Sequence, residues 1–219
     1  TGVTWSNGYT HLIGACAPTA FNKRARIFHN FNASPIITVS GDGCTFENFY
    51  FSHGRGSTSN KSGWNISGGR HYFGNVHIAG PQNATDGNQT TYSCVTLASG
   101  SQDITFDRCV LGHDTITRGN GATSLTLAGV NHLLVKDTIF LSYASNAGAT
   151  HVECTATGVS GYAIFDDVKF LNFGTDMTQA IDSDIADTTA RRIVLTGNTF
   201  SVGATDIADA TGDGTIWFR

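Results

Sequence analysis

Long apolar runs are missing from this chain. No hydrophobic stretch approaches 18 residues, so nothing reads as a membrane-spanning helix. Charge is thin as well: 14% of residues, a net of −4 and no block of one sign. That removes the usual basis for gripping nucleic acid or an anionic membrane. Proline occurs three times in 219 residues and methionine once, as Met177. The five cysteines, Cys16, Cys44, Cys94, Cys109 and Cys154, are odd in number and contain no CxxC pair. They give no metal-site spacing and read as small core residues kept reduced, which points to folding in a reducing cytosol. Residues 1–219 contain no secretory signal. Neither a metal nor a cofactor is expected.

What the chain has in quantity is glycine, 26 residues, together with Thr, Ser and Asn. That mixture disfavours helices and favours strands joined by tight polar turns. It also has a repeat. Phe46-Glu47-Asn48-Phe49-Tyr50-Phe51 is followed by related units starting at Phe73, Phe106, Val135, Phe165 and Leu195, at spacings of 27, 33, 29, 30 and 30 residues. Repeats of this length signal units that bury their apolar face only against neighbours.

Counting the first residue of each unit as zero, position minus two is mostly apolar (Cys44, His71, Ile104, Leu133, Ala163, Ile193). Alternation from minus two to zero is a strand with one buried face. The inward positions then move to plus three and plus five, so one residue must bend the strand. That residue is plus two: Asn48, Asn75, Arg108, Asp137, Asp167, Gly197. Five of these six are Asn, Asp or Gly, which visit the left-handed backbone region most readily. The expectation is an all-β fold, a single right-handed parallel β-helix of pectate-lyase-like architecture with about 30 residues per coil and roughly seven coils.

Three stretches follow along the chain. Residues 1–32 read as an opening coil that caps the stack, 33–202 as the β-helix, and 203–219 as a strand tail ending in Thr215-Ile216-Trp217-Phe218. Each coil begins with a short strand such as Ile37-Thr38-Val39 or Val95-Thr96-Leu97, whose outward residues run Thr38, Asn65, Thr96, Thr126, Glu153. The third side varies in length and carries His53, Arg55, His113, Asp114 and Arg118, the candidate ligand-binding residues. His113-Asp114 with Arg118 is the most compact constellation. Trp5, Tyr9 and Tyr92 are further candidates for sugar stacking.

No catalytic residue is assigned. A glycosidase needs two carboxyl groups facing each other across a bond, and Asp166-Asp167, the one adjacent acidic pair, reads as corner chemistry. Asp182, Asp184 and Asp187 read as neighbours within one loop rather than on stacked coils.

The Phe-x-Asn/Asp-x-x-Phe units from Phe46 to Phe200, with the stretches Thr10–Pro18 and Arg24–Ile27, resemble bacteriophage virion β-helix proteins, the class of tailspikes and head-decoration or head-fibre proteins. The resemblance implies a protein on the virion surface, folded in the host cytoplasm, and the departure from the tailspike enzymes makes the first reading a non-enzymatic one. It implies a homotrimer that contacts major capsid or tail proteins, with room for a host surface glycan and without nucleic acid or membrane insertion. Trp217 is expected at or near the subunit contact. A carbohydrate-cleaving β-helix, either a tailspike depolymerase or a polysaccharide lyase, stands as the alternative, and a passive adhesin as a third reading. The acidic cleft of the tailspike enzymes is not visible here.

Overall fold

A computed structural model describes residues 2–15, 25–30, 33–53, 62–185 and 192–208, and the backbone of 216–218. Its strands fall into three parallel sheets, A, B and C, of eight, eight and seven strands. Every third strand along the chain is a neighbour in the same sheet, which is the topology of a parallel β-helix. The coils, each given as its A, B and C strands, are Val3–Trp5, His11–Ile13, Arg26–His29 (coil 1) and Ile37–Val39, Thr45–Glu47, Tyr50–His53 (coil 2). Coil 3 is Ser62–Ile66, Tyr72–Gly74, His77–Pro81, and coil 4 is Ser93–Ala98, Gln102–Asp107, Val110–Gly112. Coil 5 is Thr123–Ala128, Asn131–Lys136, Ile139–Ser142, and coil 6 is Val152–Cys154, Tyr162–Asp166, Lys169–Asn172. Coil 7 is Met177–Ser183, Arg192–Thr196, Phe200–Val202, and coil 8 adds Ala204–Ala208 to sheet A and Ile216–Phe218 to sheet B.

The repeat makes the core directly. Phe46, Phe73, Phe106, Val135, Phe165 and Leu195 are register partners in sheet B, and all are buried. Phe46 stacks on Phe73 with ring centroids 4.8 Å apart, and Phe73 on Phe106 at 4.7 Å. Trp64 of sheet A closes the layer edge-on to Phe46 at 5.4 Å. Each such ring withdraws about 150–250 Å² from water, and at about 25 cal/mol per Å² the ladder is the main stabilising element of coils 2–4. Cys44, Cys94, Cys109 and Cys154 are buried free thiols within this core; Cys16 lies outside the described residues. His71 is a core histidine whose Nδ1 accepts the Cys44 N–H at 3.2 Å.

The bend between sheets B and C falls where the repeat places it. Asn48, Asn75, Arg108, Asp137, Asp167 and Gly197 all have positive φ, between 48° and 64°. In coil 7 the corner takes two residues, Gly197 and Asn198, the latter's N–H donating to Asp167 Oδ1 at 2.7 Å. The following strand is displaced by one residue. Phe200 therefore pairs with Lys169 in an outward row, and Ser201 takes the inward place beside Phe170. Phe200 and Asn198 are exposed, against the inward positions the repeat assigned them.

The opening residues are a true first coil. Val3–Trp5, His11–Ile13 and Arg26–His29 pair in parallel with coil 2. A short helix, Ala84–Gly87, interrupts the third side between coils 3 and 4, its first turn capped by Asn83 Oδ1 accepting the Thr85 N–H at 2.7 Å.

Candidate functional site

The outward faces differ in kind. Sheet A presents Thr4, Thr38, Asn65, Thr96, Thr126, Glu153 and Asp182 in one register row, polar throughout. Sheet C presents Tyr50, His77, Val110, Ile139 and Lys169 in one row and Gly112, Leu141, Leu171 and Val202 in the next. A cleft of about 430 Å³ opens over this second kind of face, walled by Tyr50, His77, Leu141, Leu171 and Phe173 and rimmed by His113, Asp114 and Thr115.

The rim is held by one histidine. After Gly112 the chain turns over the sheet, and His113 Nε2 donates to Pro81 O at 2.6 Å. Its Nδ1 accepts the N–H groups of Thr115 and Ile116, each at 3.2 Å. With both nitrogens occupied in these senses the ring is neutral. Burial pushes its pKa down to about 3, and the nearby Arg118 charge acts the same way against the opposing Pro81 bond. The clamp leaves Asp114 exposed at the rim. On the floor, His77 Nε2 donates to Gly112 O at 2.9 Å, and its ring meets Tyr50 edge-to-face at 4.9 Å.

Inward of the cleft lies a buried polar cluster. Coil 3 carries a bulge: Phe51 faces Ile78, but Ser52 faces Gly80, so Ala79 is extra. Arg118 Nη2 donates to the carbonyl of Ala79 at 3.0 Å, and the guanidinium lies over the Tyr92 ring at 4.9 Å. Gly80 has φ +80°, and a Cβ there would run into the Tyr92 hydroxyl and Cys94 Sγ. The Tyr92 hydroxyl is 3.5 Å from Cys94 Sγ and 3.4 Å from His53 Nε2. His53 is driven down to about 3 by burial first and then by the charge of Arg118. Burial raises the Tyr92 phenol.

His53, His113 and Arg118 are thus brought together, but as a support beneath the rim: each is at most 5% exposed. Asp114 alone of the candidate residues is open to solvent at the cleft, and Arg55 lies outside the described residues. Tyr92 is fully buried and Trp5 packs edge-on to Phe46 at 5.6 Å, so of the three further aromatics only Tyr9 is exposed. The cleft walls escaped notice in the sequence. Their signal was the outward sheet C positions Tyr50, His77, Leu141 and Leu171, apolar or aromatic where sheet A has Thr and Asn.

Acidic groups gather elsewhere. Asp166 accepts the Thr196 hydroxyl at 2.7 Å and Asp167 the Asn198 N–H, so both serve the corner. Asp182 lies on sheet A as the register partner of Glu153 in the next coil, not in a loop as the sequence suggested; Asp187 falls outside the described residues. Glu153 is held above the usual carboxylate range by burial, then by Asp182 and Asp184. Among the described residues, no group of three His, Cys, Asp or Glu side chains could hold a metal ion.

No protein-family model matches this chain, and comparison with curated proteins and with solved structures returned no match.

Proposed function

We propose that this chain is a non-enzymatic surface protein of a bacteriophage particle, a trimeric β-helix that decorates the capsid or forms a short spike and offers its third-side cleft to a host surface sugar. The fold agrees with that class, and the residue resemblance is what points to a phage. The observation that carries the non-enzymatic part is the make-up of the cleft. Its walls are rings and aliphatic side chains, and Asp114 is the one carboxylate among the described residues that line it. A sugar can stack on Phe173, which is 56% exposed, and hydrogen-bond to Asp114 and Thr115. Hydrolysis would require a second carboxyl across the bond.

Mass spectrometry of purified particles tests the location: the chain should be present in fixed ratio to the coat protein, and its absence would overturn the reading. A glycan array tests the cleft. Binding should fall at least tenfold in Phe173→Ala and Asp114→Ala, and equal binding by both variants would remove the cleft from the reading.

The carbohydrate-cleaving reading has one observation in its favour, the stacked Glu153 and Asp182. A carboxyl with a raised pKa stacked on a second carboxyl group is the pairing a general acid needs. Release of reducing or unsaturated ends from host polysaccharide, abolished in Glu153→Gln, would establish it in place of the first.

A further inference from the structure

Sheet B also exposes an apolar strip, confined to part of its length. Its outward row reads Thr45, Tyr72 and Thr105 in coils 2–4, then Leu134, Ile164 and Val194 in coils 5–7. Trp217 pairs with Val194 at the next register position. Sheet C exposes Ile139, Lys169 and Phe200 in those same three coils, with Phe200 42% exposed. The two strips flank the B–C corner at one height along the axis. In coil 6 a charge lies beside the sheet B strip, Asp166 two residues on from Ile164 and accepting the Thr196 hydroxyl, and one lies within the sheet C strip, Lys169, which makes no ion pair among the described residues.

We propose that copies of this chain associate side by side, the sheet B strip of one against the sheet C strip of the next. The proposal rests on the oligomeric reading above and names the surfaces it uses. Two different apolar faces on one protomer are what a head-to-tail contact needs, whereas a two-fold contact needs only one self-complementary face. Because both strips occupy coils 5–7, neighbours meet level with each other, and a contact without axial offset closes into a ring instead of climbing into a filament. At that level Lys169 of one copy meets Asp166 of the next, which fixes the height of the match.

The test uses the whole chain, Ile164→Glu on sheet B and Phe200→Glu on sheet C, with circular dichroism and urea midpoints confirming that both variants fold. Light scattering of the wild type at about 100 µM should give three times the 23.2 kDa chain mass. Each variant alone should lose the trimer. Mixed one to one they should form pairs, because each retains the face the other lacks. A monomeric wild type, a trimer that survives either change, or a mixture that stays dissociated would each overturn the proposal. Particle mass spectrometry is blind to this contact: a ring-forming chain absent from particles would sink only the phage reading, and a monomer found on particles only the contact.

Discussion

Asn75 Nδ2 donates to Asn48 Oδ1 at 2.9 Å, one coil above the other, and both residues hold a left-handed backbone, with φ +52° and +58°. The side-chain bond stacks the corners as the main-chain ladders stack the strands. A residue without an amide loses this bond, and a β-branched one also resists the backbone angle. Asn75→Val should therefore cost about 1–2 kcal/mol, and Gly197→Val at least as much. Urea denaturation measures both. Midpoints equal to wild type would refute the corner argument.

Arg108 occupies the same corner with φ +52°, and its guanidinium joins Asp107, at 3.0 Å, and the Tyr72 hydroxyl that donates to the same carboxylate at 2.7 Å. The Arg108 side chain is 67% exposed, so its share of this contact contributes little. Arg108→Asn should raise stability by about 0.5–1 kcal/mol, because Asn tolerates the angle better and restores a stackable amide. A lower midpoint would mean that the exposed ion pair outweighs the backbone preference.

Arg118 is a buried cation held by a carbonyl and a ring. Arg118→Ala would leave a cavity and strip the Ala79 carbonyl of its donor, a loss of roughly 2–4 kcal/mol. Arg118→Met keeps most of the volume and removes the charge that disfavours protonation of His53 and His113. NMR titration of that variant should show both histidines moving upward in pKa while remaining below 6.5, since burial is the larger cause. Unmoved values would show that Arg118 does not act on them through its charge.

His151 is fully buried beside Phe170, 5.6 Å between ring centroids, and neither ring nitrogen has a hydrogen-bond partner among the described residues. Burial drives it to about 3, where His53 and His113 also lie. Between about pH 6.5 and 3 the unfolded chain binds protons that the folded chain refuses. Stability is therefore full above pH 6.5 and falls on acidification, by about 1.4 kcal/mol per pH unit for each histidine. Urea midpoints at pH 7.5 and 5 should differ accordingly, and His151→Leu should reduce the difference by no more than about a third, because burial also lowers His71. A midpoint independent of pH would contradict the burial of these rings.

The residues themselves determined the coil, its length, its inward faces and the B–C corner. A left-handed corner admits few residue types, so its position is written in composition, and a row of Phe at a constant offset faces inward unless, as at Phe200, an extra corner residue shifts the strand. The A–B corner shows the opposite case. Tyr9, Gly43 and Arg70 just before the sheet B strand, and Asp103 and His132 at its second residue, all take positive φ, yet they share no chemistry. Contacts between coils hold that bend instead: Arg70 to Asp42 at 3.1 Å, His132 to Asp103 at 3.0 Å, and the His132 ring on Tyr162 at 4.6 Å. The same reason hid the cleft, the Arg118 cluster and the Glu153–Asp182 pair. Each joins residues about 30 to 40 positions apart, and which of them meet depends on register, on the extra Ala79 in coil 3 and on the extra Asn198 in coil 7. Single-residue shifts of that kind leave the repeat readable while changing which side chain faces which, so only the stacked structure could decide them.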